Sequence, residues 1–100
     1  MRLIRMLEAA SSAGPGPEFS AVFYMNRLTV YVETAGGADM TVAIEALADG
    51  AWFPLDSQSY STDAKQEVIE IGPTSFEKIR ANVTDYSAGN VTVIGYIHLR

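Results

Sequence analysis

The chain has no cysteine. That excludes a disulfide-stapled scaffold and any thiolate metal centre, and it leaves the redox compartment open. Histidine is almost as scarce, with His98 alone near the C-terminal end. A protein metal site draws on three or four ligands, and His98 has no second imidazole to join it, so neither a metal nor any other cofactor is expected. Basic residues are few: seven Lys and Arg stand against twelve Asp and Glu, a net charge of −5. A phosphate backbone would meet net repulsion from such a chain, and no basic cluster breaks the trend, so nucleic acid is not an expected partner. No apolar run approaches the roughly 18 residues of a membrane span, and a membrane is not expected either.

The opening "MRLIRMLEAA" has the basic start and small residues of a secretory signal. Its apolar stretch is interrupted by Arg5 and Glu8, which falls short of an uninterrupted hydrophobic region. The chain is thus expected to be complete, made in the cytosol and soluble. Nearly half its 100 residues are apolar and about a fifth are charged, the balance of one folded domain.

Two of the four prolines stand together in the stretch Ser11-Ser12-Ala13-Gly14-Pro15-Gly16-Pro17. Missing amide donors and loose glycines there argue against a helix or a central strand. The expected organisation is an N-terminal arm and linker over residues 1–17, followed by one domain over residues 18–100. Within the arm Leu3, Ile4 and Leu7 would share a helical face, yet so short a helix is not stable alone in water. The arm must dock on something, and Arg2, Leu3, Ile4 and Leu7 become candidate interface residues.

Beyond the linker the hydrophobic period is two. Leu28, Val30 and Val32 alternate with Thr29, Tyr31 and Glu33, and Met40, Val42, Ile44 and Ala46 alternate with Thr41, Ala43 and Glu45. This is the signature of half-buried antiparallel strands. Strands are expected at residues 18–24, 27–33, 40–46, 51–55, 66–71, 79–84 and 91–99. Gly36-Gly37 and Asp49-Gly50 supply reversals between them, the latter a strong hairpin signal. The closing stretch "RANVTDYSAGNVTVIGYIHLR" (80–100) repeats NVT on either side of Tyr86-Ser87-Ala88-Gly89-Asn90. It reads as a hairpin whose asparagines and threonines face solvent, although both repeats also fit the N-glycosylation acceptor pattern. The fold class is all-β: an antiparallel β-sandwich, jelly-roll or immunoglobulin-like, of six or seven strands with a short N-terminal arm.

Catalytic patterns are missing. No nucleophile-elbow motif accompanies His98, and Asp39, Glu45, Asp49, Asp56 and Asp63 are scattered over turns and strands with no calcium-loop spacing. An enzyme is not expected. Aromatic residues are more informative. Trp52, Phe53 and Tyr60 follow the Asp49-Gly50 turn and would serve a sugar-binding platform, since an apolar ring face packs on an aromatic plane. Tyr31, Ile94 and Tyr96 put apolar bulk on strand positions where the alternation calls for polar residues, which marks an interface.

Two stretches, "TVAIEALADGAWFPLD" (41–56) and "FEKIRANVTDYSAGNVTVI" (76–94), with a looser match over residues 3–16, resemble small virion structural proteins of tailed phages. The combination of DG-x-W with IRANVT is the most specific part. The sequence departs from the pattern at Ala46-Leu47-Ala48 and in a longer loop at residues 57–66. The resemblance implies a β-sandwich component of a virus particle: a capsid decoration or cement protein, or a head, tail or fibre accessory module. It would be made in the host cytoplasm and carried in the virion, with no catalytic residues. Its implied partners are copies of itself, a trimer being one option, and a viral capsid or tail protein. A weaker similarity of "DGAWFPL" and "KIRANV" to galactose-binding-like discoidin modules keeps a carbohydrate-binding module as the alternative.

Overall fold

The computed structural model describes residues 2–20, 24–63 and 67–99. Within these, every strand is antiparallel and all join one hydrogen-bonded sheet. The strands are β1 (Arg2–Ala10), β2 (Gly14–Pro15), β3 (Phe19–Ser20), β4 (Tyr24–Ala48), β5 (Ala51–Tyr60), β6 (Glu67–Ile71), β7 (Thr74–Ser75) and β8 (Lys78–Leu99). The all-β antiparallel class expected from period-two alternation is the class observed. Of the first expected strand, only Phe19 and Ser20 form β3; residues 21–23 lie outside the described residues, as does Gln66 ahead of β6.

Length decides the shape. A strand of 25 residues, such as β4, would run about 80 Å if straight. The longest dimension of the molecule is only 38 Å. Both β4 and the 22-residue β8 must therefore turn back on themselves. They do so side by side: the register passes from Ala35 opposite Asn90 to Asp39 opposite Ala88, with a bulge between. Gly36, Gly37 and Gly89 take positive φ there, at 77°, 73° and 88°. At Gly89 the bend is tight, because a Cβ would stand 2.7 Å from the carbonyl oxygen of Ala35 and from the Cα of Ala38. Asp63 fixes the same corner by accepting the Gly37 and Ala38 amides at 3.1 and 2.9 Å.

The bend divides the sheet into two halves. In one, the first part of β4 lies between β6 and the last part of β8, whose other side carries β1. In the other, the last part of β4 lies between β5 and the first part of β8, whose other side carries β2 and β3. Leu28, Val30, Val93 and Ile97 of the β6 half and Met40, Ile44, Ile79 and Val83 of the β5 half are buried in one apolar cluster. At about 25 cal/mol per Å² of buried apolar surface, this shared cluster is the principal stabilising element.

Three expectations are corrected here. The stretch 80–100 is not a hairpin. Its two arms do reverse across Ser87–Asn90, but Val83 pairs with Val42 and Val93 pairs with Val32, so each arm hydrogen-bonds to β4. The alternation is the same whichever neighbour a strand takes, and the matching bend in β4 makes that neighbour available along the whole length. Likewise Gly36-Gly37 bends one strand where a link between two strands was expected. Finally, the N-terminal stretch is neither helical nor free. It forms β1, and Ile4, Met6 and Leu7 are buried in the chain's own core. Gly95 opens the space for them: a Cβ at that position would meet Ile4, Met6 and Leu28 side chains at 3.2 to 3.3 Å. The Gly-Pro stretch follows the sheet edge as β2, with the Gly16 amide donating to the Ala81 carbonyl at 2.8 Å. The Asp49-Gly50 turn stands as expected, with φ of 51° and 75°.

Candidate functional site

The outer face of the β6 half carries the most unusual surface. Alternation along β4 turns Arg27, Thr29, Tyr31 and Glu33 outward, and register places their neighbours. His98 lies opposite Arg27, Tyr96 and Glu70 flank Thr29, Ile94 and Val68 flank Tyr31, and Thr92 lies opposite Glu33. On the far side of β8, Leu3 pairs with Tyr96 and Arg5 with Ile94. Leu3, Tyr31 and Val68, exposed by 48, 40 and 51 %, thus stand on one face with the half-buried Ile94 and Tyr96. Together they form an apolar band across four strands.

The band is ordered. The Tyr31 and Tyr96 rings meet edge to face, their centroids 5.8 Å apart and their planes at 87°, a favoured aromatic geometry. Beside them lies an open depression of about 620 Å³ lined by Arg27, Thr29, Tyr31, Glu70, Ile94, Tyr96 and His98. Its polar end is held internally. The Thr29 hydroxyl donates to Glu70 Oε1 at 2.9 Å, Arg27 Nε stands 3.8 Å from Glu70 Oε2, and His98 Nε2 is 3.4 Å from the Thr29 hydroxyl. This network orients polar groups at one end of an apolar surface, an arrangement suited to holding a partner in a fixed orientation. No cluster of potential metal ligands occurs among the described residues.

The residues picked out by sequence are distributed unevenly. Tyr31, Ile94 and Tyr96 come together as one surface. Leu3 joins them through β1, whereas Ile4 and Leu7 face inward, and Arg2 reaches the Ser20 carbonyl at 3.4 Å. Trp52, Phe53 and Tyr60 do not assemble into a platform. Tyr60 is buried and its hydroxyl donates to Glu67 Oε1 at 2.9 Å; burial first, then the hydrogen bond and charge of Glu67, hold its phenol pKa well above the ordinary value. Trp52 is capped by the Arg80 guanidinium 3.9 Å from its ring centre, and Phe53 is left exposed by itself. Arg80 in turn pairs with Glu45 at 2.8 Å, and Asn82 of the first NVT donates to both Glu45 oxygens at 3.3 Å. Asn82 is therefore half-buried in a polar cluster, not simply solvated. Val68 and Arg27 were missed. In "EVIEIG" the outward position of Val68, opposite in phase to Ile69 and Ile71, was the available signal.

Fold and face together define a class: a small all-antiparallel β protein built on two co-bent strands, with an aromatic-centred apolar band on one outer surface. No family model matches the sequence, and no curated protein matches it. Among solved structures it is similar to the SPBc2 prophage-derived protein YomS, with a TM-score of 0.73 and 25% identity over 96% of this chain and 90% of that one. It is also similar to PirA, with a TM-score of 0.59 and 13% identity over 96% of this chain and 93% of that one. The second likeness is one of fold alone. The first, spanning nearly the full length of both chains, supports a phage protein.

Proposed function

We propose that the chain is a non-enzymatic structural component of a phage particle, most simply a decoration or cement protein that attaches to the shell. The observation that carries this reading is the near full-length likeness to a prophage-derived protein. The exposed apolar band supports it. Leu3, Tyr31 and Val68 are large apolar side chains left in water by the isolated chain, and a contiguous patch of that kind usually marks a protein interface. Attachment works by surface burial, multiplied over the repeating sites of a particle lattice. The earlier expectation of a docking arm passes to this face, because Ile4, Met6 and Leu7 of β1 are buried in the chain's own core and Leu3 is the large apolar side chain it leaves exposed. The protein would be synthesised in the host cytoplasm and reside in the virion. The test is quantitative mass spectrometry of purified, salt-washed particles of the phage that encodes the chain. A fixed stoichiometry to the major shell or tail protein is expected. Intact particles without the chain, with the protein left in the soluble lysate, would refute the proposal.

A further inference from the structure

The depression on the outer face of the β6 half has two ends of different chemistry. Tyr31, Tyr96 and Ile94 form the apolar end, and Arg27, Glu70 and His98 stand around Thr29 at the other. In an edge-to-face pair one ring gives only its edge, so both faces of that ring stay clear of its partner. Hydrogen-bonding capacity also remains at the polar end. Arg27 faces Glu70 through Nε at 3.8 Å, and a guanidinium carries more N–H donors than this contact engages. The Glu70 carboxylate likewise has lone pairs beyond those turned to Thr29 and Arg27. Both charged side chains are about half exposed, and their charges balance. This chemistry narrows the occupant. An anion would meet a guanidinium already balanced by Glu70, on a chain of net charge −5. A wholly apolar ligand would bury polar groups without partners. An extended peptide binds through main-chain hydrogen bonds at a sheet edge. Beneath the depression those bonds are taken, since β4 is paired with β6 and β8, and β8 with β4 and β1.

We propose that this depression is a binding site for a neutral saccharide, with Tyr31 and Tyr96 as its stacking end and Arg27 and Glu70 as its hydroxyl-reading end. A pyranose has hydroxyls on its rim and C–H groups on its face. The hydroxyls can accept from Arg27 and donate to Glu70, while the C–H face packs on a tyrosine ring. The volume of about 620 Å³ lies within the roughly 300–1,000 Å³ of small-molecule sites. The site lies on the β6 half, away from Trp52, Phe53 and Tyr60, which form no platform. The inference goes beyond the structural role proposed above, although it shares Tyr31, Ile94 and Tyr96 with the apolar band. A copy whose band is covered by the shell therefore binds no saccharide. A copy that binds saccharide on a particle holds the shell by another surface.

Two-dimensional amide NMR of the free chain tests this. The probes are neutral methyl pyranosides (gluco, galacto, manno and N-acetylglucosamine forms), their short oligosaccharides, and glucuronate as the charged comparison. Saturable shifts at millimolar sugar are expected, confined to the residues that line the depression, with glucuronate binding more weakly than its neutral counterpart. Glu70→Ala should weaken binding by about tenfold, through loss of a charged acceptor, and Tyr31→Ala by about fivefold or more. Both side chains are substantially exposed, so the amide spectrum should otherwise stay that of the folded chain. Phe53→Ser, on the β5 half, should leave binding unchanged. No response to any neutral sugar, shifts centred elsewhere, glucuronate bound as tightly, or binding that survives Tyr31→Ala but not Phe53→Ser would overturn the site. A chain that occupies particles yet ignores every sugar would sink the saccharide site and leave the structural role standing. Sugar binding by a chain absent from particles would do the reverse.

Discussion

The co-bent pair of long strands makes its sharpest demand at Gly89, and Gly89→Ala measures it. Two costs add. An alanine at φ of 88° sits in left-handed backbone, at roughly 1–2 kcal/mol. Its Cβ would also lie 2.7 Å from the Ala35 oxygen and the Ala38 Cα, which are backbone atoms of the neighbouring strand and cannot rotate away. Forcing that space open resembles overpacking a core, at about 1–3 kcal/mol. The sum is about 2–5 kcal/mol, a large share of the roughly 5–15 kcal/mol that holds a small domain. Gly37→Ala is the control, because Gly37 has φ of 73° in the same bend but nothing within 4 Å of a Cβ. It bears the backbone strain alone, partly offset by a stiffer unfolded chain, and should lose under about 1.5 kcal/mol. Urea denaturation at fixed temperature gives both values. Thermal melting should show Gly89→Ala lower by at least about 8 °C, at roughly 4–8 °C per kcal/mol for a domain of this size. Equal losses for the two variants would refute the claim that β4 and β8 pack against each other at the bend.

The N-terminal strand and the buried phenol yield two more tests. Met6→Ala should cost about 2–5 kcal/mol, as expected for a fully buried side chain, whereas Leu3→Ser on the outer face should stay within about 0.5 kcal/mol; comparable small effects in urea denaturation would mean that β1 is not part of the core. For Tyr60, the folded state holds the phenol proton more tightly than the unfolded state, so its contribution is complete below the ordinary value near 10 and is lost as pH rises beyond it. Tyr60→Phe should accordingly flatten the decline of stability above about pH 10, and an unchanged slope in alkaline denaturation would show that the phenol does not govern it.

How much of this was legible in the sequence depends on which physical signal each feature leaves. Strands at Leu28–Val32, Met40–Ala46 and Glu67–Ile71 could be read because each buries one face, and burial imposes a period of two. Asp49-Gly50 could be read because two successive positive φ values favour those residues. Partner choice leaves no such mark. Val83 shows the same alternation whether it faces Val91 in a hairpin or Val42 across β4. The bend itself is shared, since Gly89 on one strand answers Gly36 and Gly37 on the other, and no single stretch displays both. In β1 a bulge between Arg5 and Leu7 buries Met6 and Leu7 in succession, which breaks the alternation and mimics a helical face. The candidate face divides in the same way. Tyr31, Ile94 and Tyr96 announced themselves as apolar residues at outward positions, but adding Leu3 and Val68 required knowing that β1 and β6 flank those strands.

The same topology also bears on why an exposed band can serve as a contact surface. Binding loses free energy to any ordering that the interface must undergo. Here part of that ordering is built into the contacts of the face itself. β4 and β8 run through both halves and stay paired with each other on either side of the bend. Gly89 closes against Ala35 and Ala38, and Asp63 holds the Gly37 and Ala38 amides, so the corner is tied by contacts from both strands and from Asp63. On that platform Tyr31 and Tyr96 brace each other, and Thr29 ties Glu70 to the central strand. Under the proposed attachment, little of the binding energy of this face would be spent on fixing its own shape. Loosening the bend should therefore weaken docking even where no contact residue is altered.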